Sequence, residues 1–210
     1  MALFGVTACG NDTETSPNAA VLRSFAASGA AKVKGTEGAA APMTRARLAE
    51  VVTPVMLVTW DRTGNEALIA EIQTNGNVAT WSSVDDLTIS MRNGVIVATR
   101  GFGDDLMAAS VPAVSRHSGG GAEHVRVHTL LNGEDQAYRT QFTCRFQNAG
   151  FQDIDIVQIN YRSTHVIESC HAGDIRFQNE YWISEDQKMR KSRQWISPAV
   201  GYFTIRDVRR

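Results

Sequence analysis

The chain has 210 residues, of which 43% are hydrophobic and 20% are charged, and its formal net charge is −1 at pH 7. This length suits one large β domain or two small ones, and the composition is that of a globular protein with a substantial core. The near balance of 21 basic and 22 acidic residues argues against a nucleic-acid-binding protein. The sequence has no apolar run long enough for a transmembrane helix.

The N-terminal part predicts a lipid anchor and a flexible tether. Val6-Thr7-Ala8-Cys9 has the form of a lipobox, in which Cys9 carries the lipid. Residues 1–8 lack the basic and long apolar regions of a secretion signal, so we expect either a start site further upstream or a signal that does not act. The polar residues 10–17 predict a tether. We therefore divide the chain into a lipobox remnant and tether at 1–17 and a single β domain at 18–210.

Two short helices are predicted before the β region. Residues 18–28 place Val21, Leu22 and Phe25 on one side. Thr44 is a predicted N-cap for a second helix over 45–52.

The remaining chain predicts antiparallel β-structure, with residues that alternate between apolar and polar. Asn93-Gly94 predicts a type I′ turn between two strands, because both central residues of that turn need a positive φ. Asp104 is a predicted N-cap for a short helix through Ala109. The strands are predicted at 55–60, 66–74, 77–83, 87–92, 95–100, 123–131, 137–146, 153–160, 163–170, 175–183, 188–196 and 201–208.

Turns are predicted at Asn132-Gly133 and around Asn148-Ala149-Gly150. We expect about ten strands in all, with one to three short helices. The pattern indicates an all-β sandwich or a barrel-like meander.

The histidines do not predict a metal site. His124 and His128 lie on one face of a predicted strand, but roughly 13 Å apart, which is too far for one ion. We expect these two, with His165 and His171, at the surface or at a strand edge.

No motif for catalysis or for a cofactor is present. Asp85-Asp86 and Asp104-Asp105 fit turns and caps better than paired catalytic carboxylates. The chain has no G-x-S-x-G motif. The glycine-rich residues 117–121 lack the Lys-Ser/Thr ending of a phosphate loop. The sequence therefore predicts no enzyme and no cofactor.

The cysteines leave two interpretations open. Either Cys9, Cys144 and Cys170 are three thiols, or Cys9 is modified and the other two form a disulfide. A bridge between Cys144 and Cys170 would add roughly 3–4 kcal/mol to the free energy of unfolding and would require an oxidising compartment.

The basic residues 188–193 also allow two interpretations. They form either a solvated edge strand protected by its charges, or a basic strip, with Trp182 and Trp195 nearby, that faces anionic polysaccharide or lipid head groups.

Three segments together resemble the YjbF/GfcB family of Gram-negative lipoproteins. They are 77–81 (NVATW), 91–107 (MRNGVIVATRGFGDDLM) and 190–202 (RKSRQWISPAVGY), of which the last is the most specific. The resemblance covers the chain from Cys9 to about Val208.

The resemblance implies a lipoprotein anchored in the outer membrane, facing the periplasm, and encoded beside other exopolysaccharide or group 4 capsule proteins. It also implies an all-β fold of strongly curved antiparallel sheets and no known enzymatic activity. Gly10, directly after the lipobox cysteine, favours outer-membrane sorting.

Three roles are compatible with this resemblance. The first is an accessory lipoprotein that binds glycan or partner export proteins, and a shallow polar groove lined by aromatic residues would favour it. The second is a carrier or chaperone for a lipidated or apolar ligand, which needs a large apolar cavity. An envelope hydrolase ranks third. The candidate glycan- or partner-binding residues are Trp182, Arg190, Arg193, Gln194, Trp195 and Tyr202.

Overall fold

The structure, a computed structural model, describes residues 43–49, 51, 53–131 and 136–209. Cys9, the predicted tether, the predicted helix at 18–28 and the turn at Asn132-Gly133 lie outside the described residues. None of the helices in the described ranges is both long enough and apolar enough to span a membrane.

Twelve strands form one antiparallel sheet that is nearly closed into a barrel, so the predicted all-β fold is confirmed. One short helix, α1 (Arg45–Ala49), precedes them. The strands are β1 (Val55–Trp60), β2 (Asn65–Asn75), β3 (Val78–Ser82), β4 (Thr88–Arg92), β5 (Val95–Arg100), β6 (Leu106–Ser110), β7 (Glu123–Leu131), β8 (Ala137–Asp155), β9 (Asn160–Ala172), β10 (Ile175–Ser184), β11 (Met189–Ser197) and β12 (Gly201–Arg209).

The first and last strands meet in the middle of the sheet. The order is β5-β4-β3-β2-β1-β12-β11-β10-β9-β8-β7-β6, so β5 and β6 are its two edges although they are consecutive in the chain. Side chains join these edges. Thr99 Oγ1 donates to Asp105 Oδ1 at 2.8 Å, and Arg100 Nη1 donates to the carbonyl oxygen of Leu106 at 3.1 Å. The seam of the barrel is therefore bridged by hydrogen bonds from Thr99 and Arg100.

The hairpin at Asn93-Gly94 is confirmed. Both residues have a positive φ, 51° and 84°, as a type I′ turn requires. A side chain on Gly94 would also collide with the sulfur of Met189, at 2.8 Å from the added Cβ. This turn therefore needs glycine both for its backbone conformation and for the close approach to β11.

The prediction of a helix after Asp104 is wrong. Residues 106–110 form strand β6, in which Leu106 is buried opposite Leu130 of β7. The adjacent Asp105 accepts hydrogen bonds from the backbone N–H groups of Gly101 and Phe102 and so fixes the loop before β6. Pairing with β7 therefore outweighs the local capping signal of Asp104, and the segment forms a strand.

Two further predictions are wrong: the turn at Asn148-Ala149-Gly150 and the strand at 153–160. The chain runs through as one strand, β8, with a bulge between Asn148 and Phe151. It reverses only at residues 156–159, where the N–H of Ile156 donates to the carbonyl of Ile159 at 2.9 Å. Asn and Gly are typical of bulges as well as turns, because both need a locally unusual backbone.

Apolar side chains fill the interior of the barrel and also cover one patch outside it. Alternate residues of β1 serve the two faces. Met56 and Val58 point inward, whereas Val55 and Leu57 lie under α1 on the outer face. The largest interior cluster contains Met56, Val58, Ile69, Trp81, Ile89, Met91, Ile96, Leu106, Leu130, Ile196, Val200, Phe203 and Ile205. The outer cluster draws α1 and the end of β8 onto the sheet.

Candidate functional site

Strand β7 turns its polar residues inward. Val125 is 51% exposed, whereas Arg126 and His128 on the opposite face are buried. The predicted surface position of His128 is therefore wrong, and His124 is largely covered as well. The period-two pattern predicts the alternation along β7 correctly, but it does not indicate which face of the strand is buried. In β7 the polar face is buried, and its side chains form hydrogen bonds inside the barrel.

The inward face of β7 meets Glu168 of β9. Its Oε2 accepts hydrogen bonds from Arg126 Nη2 at 2.8 Å, from Asn179 Nδ2 at 2.9 Å and from Tyr181 Oη at 2.8 Å. Its Oε1 lies 2.9 Å from His124 Nε2 and 3.2 Å from Arg126 Nε. The buried carboxylate is thus fully satisfied, as a stable interior charge requires.

The pKa values of the ionisable groups in this cluster lie far from neutral pH. Burial raises the pKa of Glu168, but the hydrogen bond with His124 and the charge of Arg126 outweigh it and lower the pKa to about 2. Burial and the charge of Arg126 lower the pKa of His128 to about 3. Burial also raises the pKa of Tyr181 well above its ordinary value. None of these three groups is suited to exchange protons with a substrate near pH 7.

The same region holds the disulfide. Cys144 of β8 and Cys170 of β9 are direct partners in the ladder and are joined by an S–S bond of 1.99 Å. The predicted bridge is confirmed, and three free thiols are ruled out for this chain. His124, Cys144 and Glu168 bring ligand atoms within 4.8 Å of one another. They do not fit a metal ion as they stand, because the sulfur is bonded to Cys170 and Glu168 is paired with Arg126.

Two of the candidate binding residues lie in the interior. Gln194 is 2% exposed; its Oε1 accepts from the N–H of Ile96 at 2.9 Å, and its Nε2 donates to the carbonyl of Gly94 at 2.8 Å. The ring of Trp195 stacks on Phe177 with centroids 4.4 Å apart. Contact with an external glycan does not fit this burial. Gln194 instead binds β5 to β11.

Arg190 and Arg193 lie outside the barrel, each with a carboxylate partner. Arg190 Nη2 is 2.6 Å from Asp186 Oδ2, and Arg193 Nε is 2.7 Å from Asp61 Oδ2. The guanidinium of Arg193 also lies over the ring of Tyr202, 3.8 Å from its centroid. Arg193 and Tyr202 are partly exposed, so this stacked pair lies where an external ligand can reach it.

Trp182 is also on the outer face, but its ring is covered. His165 stacks against it with centroids 4.6 Å apart, and Lys191 Nζ lies 4.3 Å from its centroid. Its indole Nε1 donates to Gln152 Oε1 at 2.6 Å. Because β11 lies between β10 and β12, the basic segment that contains Lys191 is not the edge strand that one of the two interpretations required.

An open polar groove lies beside Lys191. It has a volume of about 430 Å³ and is lined by Thr59, Ile154, Asp155, Lys191, Thr204 and Arg206. The sheet forms its floor and the end of β8 forms its wall. Arg45 of α1 holds the turn after β8 in place, since its guanidinium donates to the carbonyls of Ile156 at 2.6 Å and Val157 at 2.7 Å.

The interior, in contrast, offers little room for a ligand. The gap between Met56, Met91, Met189 and Ile205 has a volume of about 10 Å³, which is enough for a single water.

Comparison with known proteins identifies the class to which this barrel belongs. The sequence model described as "Group 4 capsule polysaccharide lipoprotein gfcB, YjbF" matches residues 19–208. The matching family is thus a class of capsule polysaccharide lipoproteins, and a lipoprotein family points to a membrane-anchored place in the cell envelope. In particular, the chain belongs to the YjbF family, as the sequence resemblance predicted.

A solved structure supports the fold. The crystal structure of the hypothetical lipoprotein YmcC from Escherichia coli (K12) aligns with a TM-score of 0.68 at 15% identity and covers 76% of this chain and 85% of that chain. At this identity the likeness concerns the fold alone. The search of curated proteins found no match.

Proposed function

We propose that this protein is a non-catalytic lipoprotein on the periplasmic face of the outer membrane that assists capsule or exopolysaccharide assembly or export. In this proposal Cys9 carries the lipid, residues 10–17 are the tether, and residues 18–210 form the single domain that binds glycan or partner export proteins. The family match supports the polysaccharide connection. The observation that carries the mode of action is the open polar groove on the outside of a filled barrel.

The filled interior distinguishes surface binding from the carrying of an apolar ligand. A carrier would need an enclosed apolar cavity of several hundred Å³. Here apolar side chains pack inside the barrel, and the gap beside Met189 has a volume of only about 10 Å³. No observation on the described part of the chain favours the carrier role.

A non-catalytic role is supported by the chemistry of the buried ionic cluster around Glu168. Glu168 and His128 have pKa values of about 2 and about 3, so neither changes protonation near neutral pH. Both side chains are also buried, with an exposure of 0%.

Deletion of the gene in the native host tests the function. We expect surface-attached and secreted polysaccharide to fall and to be restored by the wild-type chain at matched expression. A Cys9→Ala chain should not restore it, and the mass of the wild-type chain should show an acylated Cys9. Wild-type polysaccharide levels in the deletion strain would refute the proposed function.

A further inference from the structure

Two cations lie directly opposite each other on the outer face of the barrel. Lys191 of β11 is the ladder partner of Arg206 of β12, and Trp182 of β10 is the partner of Lys191 on its other side. Like charges in direct cross-strand positions destabilise a sheet, whereas opposite charges stabilise it. The direct pairing of Lys191 with Arg206 therefore does not by itself stabilise the sheet.

The two cations differ in how they are neutralised. Arg206 forms an ion pair with Glu66 and a hydrogen bond with Thr59. Lys191 has no carboxylate within ion-pair distance in the part of the chain that the structure describes, and its ammonium rests on the ring of Trp182. Burial and the charge of Arg206 lower the pKa of Lys191, and they outweigh the opposing charges of Glu180 and Asp61, neither of which lies within ion-pair distance.

The groove around Lys191 is lined by groups that can bind a hydroxylated ligand. The hydroxyls of Thr59 and Thr204 donate to Glu66 and Asp61, each at 2.8 Å. Thr59 Oγ1 also accepts from Arg206, so it keeps one lone pair as an acceptor, and Thr204 Oγ1 keeps two. Asp155 adds a carboxylate on the wall, where its Oδ1 accepts from the N–H of Gln158 at 3.2 Å. The volume of about 430 Å³ is in the range of small-ligand sites.

We propose that this groove binds a carboxylate-bearing sugar of an acidic polysaccharide. The sugar carboxylate lies against Lys191 and Arg206, and its hydroxyls contact Thr59, Thr204 and Asp155. A charge-assisted hydrogen bond to a carboxylate is about twice as strong as a neutral one, and Lys191 can donate one that no carboxylate of the described residues takes up. The proposal rests on the proposed function, which it deepens by naming the ligand class and the residues.

The surrounding charges favour a single carboxylate over an anionic membrane surface. Membrane head groups are bound by clusters of several uncompensated cations. Here Arg193 is paired with Asp61, Arg206 with Glu66, and His165 with Glu180. Only Lys191, among the cations of this patch in the described residues, lacks a carboxylate, and the wall formed by Ile154 and Asp155 stands beside it.

Binding of a defined acidic oligosaccharide tests the proposal. The full chain is titrated with hexagalacturonate, and with maltohexaose as the neutral probe, by calorimetry and by NMR of the tryptophan indoles. The variant is Lys191→Met, whose stem still covers Trp182. The matched control is Lys188→Met, which removes the same charge from an exposed position three residues away. Circular dichroism checks that both variants are folded.

We expect hexagalacturonate to bind and to shift the Trp182 indole signal. Its affinity should fall about tenfold or more in Lys191→Met and stay unchanged in Lys188→Met, because one charge-assisted contact is lost. Maltohexaose should bind much more weakly. The proposal is overturned if hexagalacturonate does not bind, if the two variants lose affinity equally, or if only phosphatidylglycerol vesicles bind in a manner that depends on Lys191.

The Lys191→Met variant distinguishes a failure of the groove proposal from a failure of the proposed function. If deletion lowers polysaccharide and Lys191→Met restores it fully, the groove proposal fails while the function stands. If deletion has no effect but the groove binds hexagalacturonate through Lys191, the function fails while the site stands.

Discussion

Arg126 and Glu168 form a two-point ion pair inside the barrel, with Nη2–Oε2 at 2.8 Å and Nε–Oε1 at 3.2 Å. The pair joins β7 to β9, between which β8 lies in the sheet. Arg126 is 2% exposed and Glu168 0%. Such a pair is costly to break, because removal of one partner leaves the other charge buried without compensation.

Replacement of Glu168 by Gln is therefore expected to lower the free energy of unfolding by about 3–5 kcal/mol. The amide keeps the shape of the side chain but cannot neutralise Arg126. Urea denaturation measures the loss. Glu123→Gln is the control, since it breaks the exposed ion pair with Arg145 at 3.2 Å and should cost about 0–1 kcal/mol. Equal losses in the two variants would contradict a structural role for the buried pair.

We expect the free energy of unfolding to fall as the pH is lowered. The protonation of His128 should cause the first part of this fall, at the higher pH values. Its pKa is lowered from 6.5 to about 3, so between these values the unfolded chain binds a proton that the folded chain does not. Stability therefore falls as pH decreases through this window. Glu168, with its pKa lowered from 4.5 to about 2, adds a further loss in the same direction at lower pH.

The variant His128→Gln isolates the first part of this pH dependence. Gln does not titrate, and its amide can still accept a hydrogen bond from Arg126. The free energy of unfolding, measured in urea at about pH 7 and about pH 5, should change less in this variant than in the wild type. An unchanged slope would mean that His128 does not stay neutral in the folded barrel.

Loss of the disulfide is expected to lower the free energy of unfolding by about 3 kcal/mol, because the bridge closes a loop with a sequence separation of 26. The measurement compares the wild type with Cys144→Ala/Cys170→Ala in urea, with and without dithiothreitol. The reductant should destabilise the wild type during unfolding and leave the variant unaffected. A variant as stable as the oxidised wild type would show that the β8–β9 ladder alone holds this region.

Replacement of Gln194 by Leu should lower the free energy of unfolding by about 2–4 kcal/mol, since it leaves the N–H of Ile96 and the carbonyl of Gly94 buried without partners. Gln178→Leu is the control, because Gln178 is exposed on the neighbouring strand. Thermal unfolding compares the two. A stable Gln194→Leu chain with altered glycan binding would instead favour the ligand-binding role that the sequence suggested.

Most of the correct predictions rest on patterns among residues that are close together in the chain. The turn at Asn93-Gly94 follows from the positive φ that these two residues tolerate, and the alternation along 201–208 gave strand β12 almost to its ends. The motif at 190–202 was enough to indicate the family. The predictions that failed, at Asp104 and at Asn148, relied on local signals that are shared by different structures.

The sequence by itself determined the all-β class and the positions of most strands, because periodicity and turn chemistry act over a few residues. Its motif at 190–202 indicated the family. Only the tertiary structure decided that β1 pairs with β12, that Arg126 faces Glu168, and that Lys191 lies beside Arg206. These contacts join residues far apart in the chain. Their register depends on how twelve strands close around one core, which no local pattern encodes.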